Sequence, residues 1–163
     1  MLGKEEELER RLKYLENILV WAEERFTDLY LAAIETLRLK NVKKYILQDK
    51  EIWIIHGKEA RYIISERNEK DNIVFSCSCP DFLFHVLLKS YKDKNILRRP
   101  FCYHILAKII SEIHEIKKKL GQNFNSSFLP ETIISREHTY AELIKSMLIS
   151  FSERGKSDER DVG

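Results

Sequence analysis

The first forty residues carry a helical pattern of apolar positions. Apolar side chains recur there at alternating steps of four and three residues, which is the spacing of one face of an α-helix. These positions are Leu8, Leu12, Leu15, Leu19, Ala22, Phe26, Leu29 and Ala33. A straight helix over residues 4–40 would be about 55 Å long, whereas a globule of this size has a radius of gyration of about 15 Å. We therefore expect a helix that bends or breaks to pack on its own domain, or one that projects and pairs with another chain.

The pattern changes after residue 41 to one typical of short β-strands. Four runs rich in Ile, Val, Tyr, Trp and Phe are separated by short polar turns. The runs are Val42–Leu47, Ile52–Ile55, Arg61–Ser65 and Ile73–Ser76. Because the connections are too short for parallel crossovers, the pattern predicts an antiparallel meander of three or four strands.

Helical patterns return after the strands. Apolar runs over residues 82–89 and 102–119 predict two helices joined by a charged loop over residues 91–99. Gly121 follows the second run and is predicted to cap its C-terminus.

The rest of the chain is predicted to be a loop, one last helix and a tail. Residues 122–137 have the pattern of a loop with scattered aromatic residues. Thr139 and Glu142 have the spacing of a capping box, which predicts a helix that ends near Phe151. The polar tail over residues 152–163 is predicted to be disordered.

Composition excludes some classes of protein. The chain has 163 residues with 28 basic and 26 acidic side chains, which excludes a globally basic nucleic-acid binder but not a local basic patch. No run of about 18 apolar residues is present to span a membrane, and the charged N-terminus lacks the apolar region of a signal peptide. We expect a cytoplasmic protein, or a nuclear one in a eukaryote. The abundance of Ile, Lys and Glu is typical of thermophiles.

All three cysteines lie between residues 77 and 102, and a histidine follows the last of them. An odd, clustered set without a secretion signal favours a metal site over a disulfide framework. Cys77 and Cys79 end a predicted strand, where residues two apart point to the same side. Cys102 and His104 begin a predicted helix, whose free N–H groups stabilise thiolate charge. Three thiolates and one imidazole are a complete tetrahedral ligand set for Zn²⁺.

Alternatives to this ligand set remain open. His85 is a rival nitrogen ligand, but its position three residues after Phe82 places it on a predicted helix face. The plainer interpretation is three buried structural cysteines and an incidental histidine. Iron–sulfur ligation would require a fourth cysteine. A zinc ion with three thiolates would have a net charge of −1, which Lys94, Arg98 and Arg99 in the preceding loop are placed to offset.

The order Cys77-x-Cys79, a variable insert and Cys102-x-His104 resembles the SWIM zinc finger, which has this signature on a strand-pair-then-helix frame. Ala107, three residues after the histidine, and the aromatic residues after Cys79 are more specifically similar to the SWIM subunits of Shu recombination complexes. The resemblance covers roughly residues 73–115 and does not extend to the N-terminal helix.

The resemblance implies a non-catalytic adaptor in homologous recombination and DNA repair, with structural zinc. Shu-type SWIM proteins bind RecA-like ATPases (recombinase paralogues) and promote recombinase filament assembly on single-stranded DNA. It also implies that Ala107 supports the partner interface, although it could be an ordinary small residue on a helix face. We expect no enzyme activity, because no ATP site is recognisable and a Cys–His nucleophile would use up metal ligands.

Direct DNA binding is the main competing hypothesis, by a zinc-finger protein acting alone or as a homodimer through the N-terminal helix. Residues 82–119 contain nine basic and three acidic side chains, whereas residues 1–40 contain seven and nine. Such a basic region could contact phosphates, or it could be a solvated surface and a loop that neutralises the zinc site. The candidate nucleic-acid contacts are Lys92, Lys94, Arg98, Arg99, Lys108, Lys117 and Lys118. Tyr91 and Tyr103 could stack on bases or pack internally.

The predicted fold class is α+β, with a long N-terminal helix, a small antiparallel sheet, a ββα zinc finger and C-terminal helices. We divide the chain into four parts by number. The N-terminal helix covers 1–40, the meander and finger cover 41–119, the loop and last helix cover 120–151, and the tail covers 152–163.

Overall fold

A computed structural model describes residues 3–57, 60–83, 86, 100–135 and 139–146. It has the predicted α+β architecture. The helices are α1 (Lys4–Arg25), α2 (Thr27–Arg38) and α3 (Tyr103–Lys119). Residues 80–83, 86 and 140–146 are also helical, and Ser126–Phe128 forms a 3₁₀ turn. The strands are β1 (Val42–Ile46), β2 (Glu51–His56), β3 (Arg61–Glu69), β4 (Asn72–Cys77) and β5 (Glu131–Ile134).

The long N-terminal helix is present in two segments. It breaks at Phe26, which has φ −134° and ψ 54°, although neither Gly nor Pro is nearby. The rings of Trp21, Phe26 and Phe101 meet edge to face around this break, with centroids 5.4 to 5.6 Å apart. Both α1 and α2 pack on α3. Of the two arrangements considered for this helix, the structure therefore has the one that breaks and packs on its own domain.

The sheet has the order β4-β3-β2-β1-β5. Its first four strands form the predicted antiparallel meander, in which, for example, Trp53 lies opposite Ile64. The fifth strand pairs parallel to β1, with Ile133 opposite Tyr45. The prediction of a loop over residues 122–137 was wrong at this strand. Its four mostly exposed residues show no alternation of their own, and pairing with the free edge of β1 holds them extended.

Helix α3 is the centre of the molecule, between the sheet and the α1–α2 pair. Eleven of its 17 residues are buried, as expected of a helix that contacts neighbours on most sides. It follows Cys102 and ends at Lys119, and Gly121, with φ +71°, lies in the predicted cap. The Gln122 N–H donates to the Lys117 carbonyl at 2.8 Å, which completes a Schellman cap.

The helix over residues 140–146 covers the opposite face of the sheet. It begins after Thr139, whose Oγ1 accepts a hydrogen bond from the Glu142 N–H at 3.4 Å, as the predicted capping spacing requires. Tyr140 and Leu143 pack on a second, smaller core that includes Ile54. The predicted end near Phe151, the tail over 152–163 and the charged loop over 91–99 lie outside the described residues. No helix in the described ranges has the length and apolar character to cross a membrane.

Candidate metal centre

The end of β4 and the start of α3 bring four metal-ligating side chains together. Cys77 is the last residue of β4, Cys79 follows it by two residues, Cys102 precedes α3, and His104 lies in the first turn of α3. Their three sulfur atoms and one imidazole nitrogen all lie within 4.8 Å of one another. The structure thus assembles all four residues that the sequence selected, and we refer to them as the Cys₃His cluster.

The dimensions of the Cys₃His cluster suit one metal ion. The His104 Nδ1 atom is 3.9 Å from the Cys77 sulfur and 3.9 Å from the Cys102 sulfur. A tetrahedral Zn²⁺ ion would set these sulfur–nitrogen separations at about 3.6 Å. All four residues are buried, with at most 5% of any one exposed. The cluster could therefore hold a metal ion with only small movements of its side chains.

Hydrogen bonds among the three cysteines give their thiols different pKa values. The pKa of Cys79 lies far below its usual value, because Cys102 and Cys77 both hydrogen-bond to its sulfur. The pKa of Cys77 is raised by its hydrogen bond with Cys102, then by its hydrogen bond with Cys79, and by burial. The pKa of Cys102 is raised to about 12. The bond with Cys77 acts to lower it, but the bond to Cys79 and burial outweigh that effect. A divalent cation would replace the remaining thiol protons.

Backbone hydrogen bonds hold the first ligand pair in position. The N–H of Phe82 donates to the Cys79 sulfur at 3.3 Å. Ser78, between the two cysteines, is bonded to Ile63 of β3 twice. Its N–H donates to the Ile63 carbonyl at 3.2 Å, and its Oγ accepts from the Ile63 N–H at 3.0 Å. The segment that carries Cys77 and Cys79 is therefore anchored to the sheet.

Two tyrosine rings flank His104 of the Cys₃His cluster. The ring centroids of Tyr103 and Tyr62 lie 4.1 and 4.9 Å from that of His104. Sequence reasoning considered Tyr103 only for base stacking or packing, and it did not single out Tyr62. The sequence could have indicated Tyr62 through its place in β3. This strand pairs with both β2 and β4, and β4 ends at Cys77.

The candidate nucleic-acid contacts have different outcomes. Lys108 was wrongly assigned, because it is only 2% exposed and its Nζ lies 2.5 Å from Glu112 and 3.4 Å from Glu66. Lys117 is half-buried and Lys118 is exposed. The remaining candidates and the rival ligand lie outside the described residues; they are Lys92, Lys94, Arg98, Arg99 and His85.

The region around Lys108 is an ion-pair network that sequence reasoning did not find. Arg11 of α1 binds Glu112 of α3 and reaches Glu66 of β3 at 2.8 Å. Burial acts to lower the pKa of Arg11, but the two carboxylates raise it on balance. The network joins α1, α3 and the sheet. Lys108 and Glu112 are one turn apart on α3, but Arg11 and Glu66 are far from them in sequence, so no local motif marks the whole network.

Ala107 is completely buried in the main core, one turn after His104.

Comparison of the chain with protein-family models, with curated proteins and with solved structures gave no match. Within the part of the chain that the structure describes, the Cys₃His cluster is the group of side chains arranged to hold a metal ion.

Proposed function

We propose that this protein is a zinc-binding, non-catalytic adaptor in homologous recombination and DNA repair. The observation that carries the proposal is the buried Cys₃His cluster, in which a Cys-x-Cys pair at a strand end meets a Cys-x-His pair at a helix start. This order and this placement are those of the SWIM zinc finger that the sequence resembles.

The ligand chemistry supports zinc as the metal. Thiolates and imidazole suit Zn²⁺, and a tetrahedral site with four protein ligands is typical of structural zinc. Such a site leaves no coordination position for a water molecule or a substrate. Zinc would therefore stabilise the junction between β4 and α3 and take no part in chemistry.

The partner in this proposal is a RecA-like ATPase, and the outcome is recombinase filament assembly on single-stranded DNA. The resemblance to Shu-type SWIM proteins supports this role, and the buried Ala107 would shape α3 beneath the partner surface. The burial of Lys108 weakens the alternative of direct DNA binding, because one of its proposed phosphate contacts is committed to Glu112.

The zinc assignment is tested by elemental analysis of the purified protein and of three histidine variants. We expect one zinc per chain in the parent protein and its loss in His104→Ala. His114→Ala should keep its zinc, because His114 bonds to the Asn125 N–H away from the cluster. His85→Ala should also keep it. Full zinc in the His104 variant and loss in the His85 variant would contradict the ligand assignment.

The adaptor role is tested by purifying the protein from its source and identifying what elutes with it. We expect a RecA-like ATPase in the complex and negligible binding of single-stranded DNA by the isolated protein. Tight, strongly salt-dependent DNA binding without a partner would instead favour the DNA-binding alternative.

A further inference from the structure

A groove of about 500 Å³ lies beside the Cys₃His cluster. One wall is formed by four side chains of α2 and of the residue that caps its C-terminus. They lie in a stripe along one face of the helix, at the spacing i, i+3, i+4 and i+7. The stripe consists of Ala32, Glu35, Thr36 and Leu39. Leu39 is 59% exposed, which is unusual for a leucine beside a concave surface. This wall therefore offers an aliphatic contact next to a carboxylate.

Another wall is aromatic. It is formed by Tyr62, Tyr103 and His104, and both tyrosine rings lie against the His104 ring. The Nδ1 atom of His104 faces the sulfurs of the Cys₃His cluster, so the Nε2 side of the ring is directed away from them. A metal-bound histidine donates its second N–H to an acceptor. A backbone carbonyl of a bound peptide could be that acceptor.

The described lining of the groove has an acidic residue and no basic one, although Arg38 pairs with that acid and Arg61 and Lys43 act on His56 at one end. Glu35 is the charged residue among its described lining groups. His56 at one end adds no positive charge, because burial, then Arg61 and Lys43, lower its pKa to about 4. A zinc ion with three thiolates would add a net negative charge behind the aromatic wall, and tyrosine ring faces attract cations. Arg38 lies 4.0 Å from Glu35, but both side chains are largely exposed, so this pair is weak and easily exchanged.

We infer that this groove docks a short segment of a partner protein in which an arginine or lysine lies next to an aliphatic side chain. The aliphatic side chain would pack against Leu39 and Ala32, and the cation would lie between Glu35 and the tyrosine rings. A nucleic-acid strand is a poorer fit, because the described lining offers no cation to its phosphates. This inference deepens the proposed adaptor function and rests on it for the identity of the partner.

The binding test uses two dipeptide probes on the zinc-loaded, full-length protein. N-acetyl-leucyl-arginine amide is titrated while backbone amide shifts are followed by NMR, and N-acetyl-leucyl-glutamate amide is the matched control. We expect saturable shifts at Leu39, Tyr62 and Tyr103 with the arginine probe, with a dissociation constant on the order of 1 mM. The glutamate probe should bind at least about fivefold more weakly.

Two pairs of variants test whether the probe binds in the groove or elsewhere on the surface. Leu39→Ser should weaken binding of the arginine probe about fivefold, because an aliphatic contact is lost. Leu31→Ser is the control, since Leu31 is equally exposed at 58% but does not line the groove. Glu35→Gln should weaken binding two- to fivefold, in the range of an exposed ion pair. Glu24→Gln on the exposed surface of α1 should leave binding unchanged.

Several outcomes would overturn the inference. These are equal binding of the two probes, no shifts at the groove, and groove shifts produced by a ten-residue thymidine oligonucleotide. A further outcome is self-association of the protein, with Leu39→Ser abolishing the association and Leu31→Ser leaving it intact. That result would overturn the inference, because it would show that a second copy of the chain occupies the groove. If the ATPase elutes equally with Leu39→Ser and the parent protein, the groove assignment fails and the adaptor stands. If the arginine probe binds and no ATPase elutes, the adaptor role fails and the groove assignment stands.

Discussion

At the scale of single residues, Lys108 is the cation whose environment differs most from the expectation. Its ammonium group is buried between Glu112 and Glu66. Lys108→Ala leaves the buried Glu112 carboxylate with Arg11 as its remaining partner, so we expect a loss of about 3 kcal/mol in the free energy of unfolding. Urea denaturation measures this loss. Lys118→Ala, at an exposed position, should change it by less than about 0.5 kcal/mol, and equal effects would contradict the buried network.

Gly121 is a residue at whose position the backbone conformation favours glycine. Its φ of +71° lies in the left-handed region, and a Cβ there would meet no neighbouring atom within 4 Å. The cost of Gly121→Ala is therefore purely conformational, and we expect about 1 kcal/mol of destabilisation in the same urea experiment. Gln122→Ala keeps the Schellman hydrogen bond, which uses its backbone N–H, and should be nearly neutral. A neutral Gly121→Ala would mean that the cap has another conformation.

At the scale of secondary-structure elements, the break between α1 and α2 depends on aromatic packing. Phe26 contacts Trp21 and also Phe101, which directly precedes Cys102 of the Cys₃His cluster. We expect Phe26→Ala to cost about 2 kcal/mol, because a half-buried ring and two edge-to-face contacts are lost. Thermal unfolding measures the cost. Val20→Ala, at a site that is 54% exposed, is the control and should have little effect.

The sequence predicts those elements whose interacting residues are close together along the chain. The meander was predictable because each strand carries its own run of β-forming residues and its partner is next along the chain. The members of the Cys₃His cluster were predictable because each Cys-x-Cys or Cys-x-His pair is local and its chemistry is distinctive. Strand β5 was not, because it pairs with β1, which is more than 80 residues earlier in the chain. The burial of Lys108 was not, because it depends on the distant Glu66 of β3 as well as on Glu112 four residues away.

At the scale of the whole molecule, the Cys₃His cluster links two elements that are otherwise distant in the chain. It joins the end of β4 to the start of α3, and α3 in turn packs on α1, α2 and the sheet. The main core contains the three cysteines and also many apolar residues outside the cluster, such as Val42, Ile55 and Ile113. A metal bound there would therefore hold the sheet against a helix whose own packing is already extensive.

This arrangement predicts a localised response to metal removal. We expect a strong chelator to lower the free energy of unfolding by several kcal/mol, because structural zinc binding contributes directly to folding. In hydrogen exchange, amides of residues 76–79 and 103–106 should lose protection first, while those of β1 and β2 keep theirs. The His104→Ala variant should resemble the chelated protein and respond no further to chelator. Uniform loss of protection across the sheet would instead mean that the metal supports the whole fold and not only this junction.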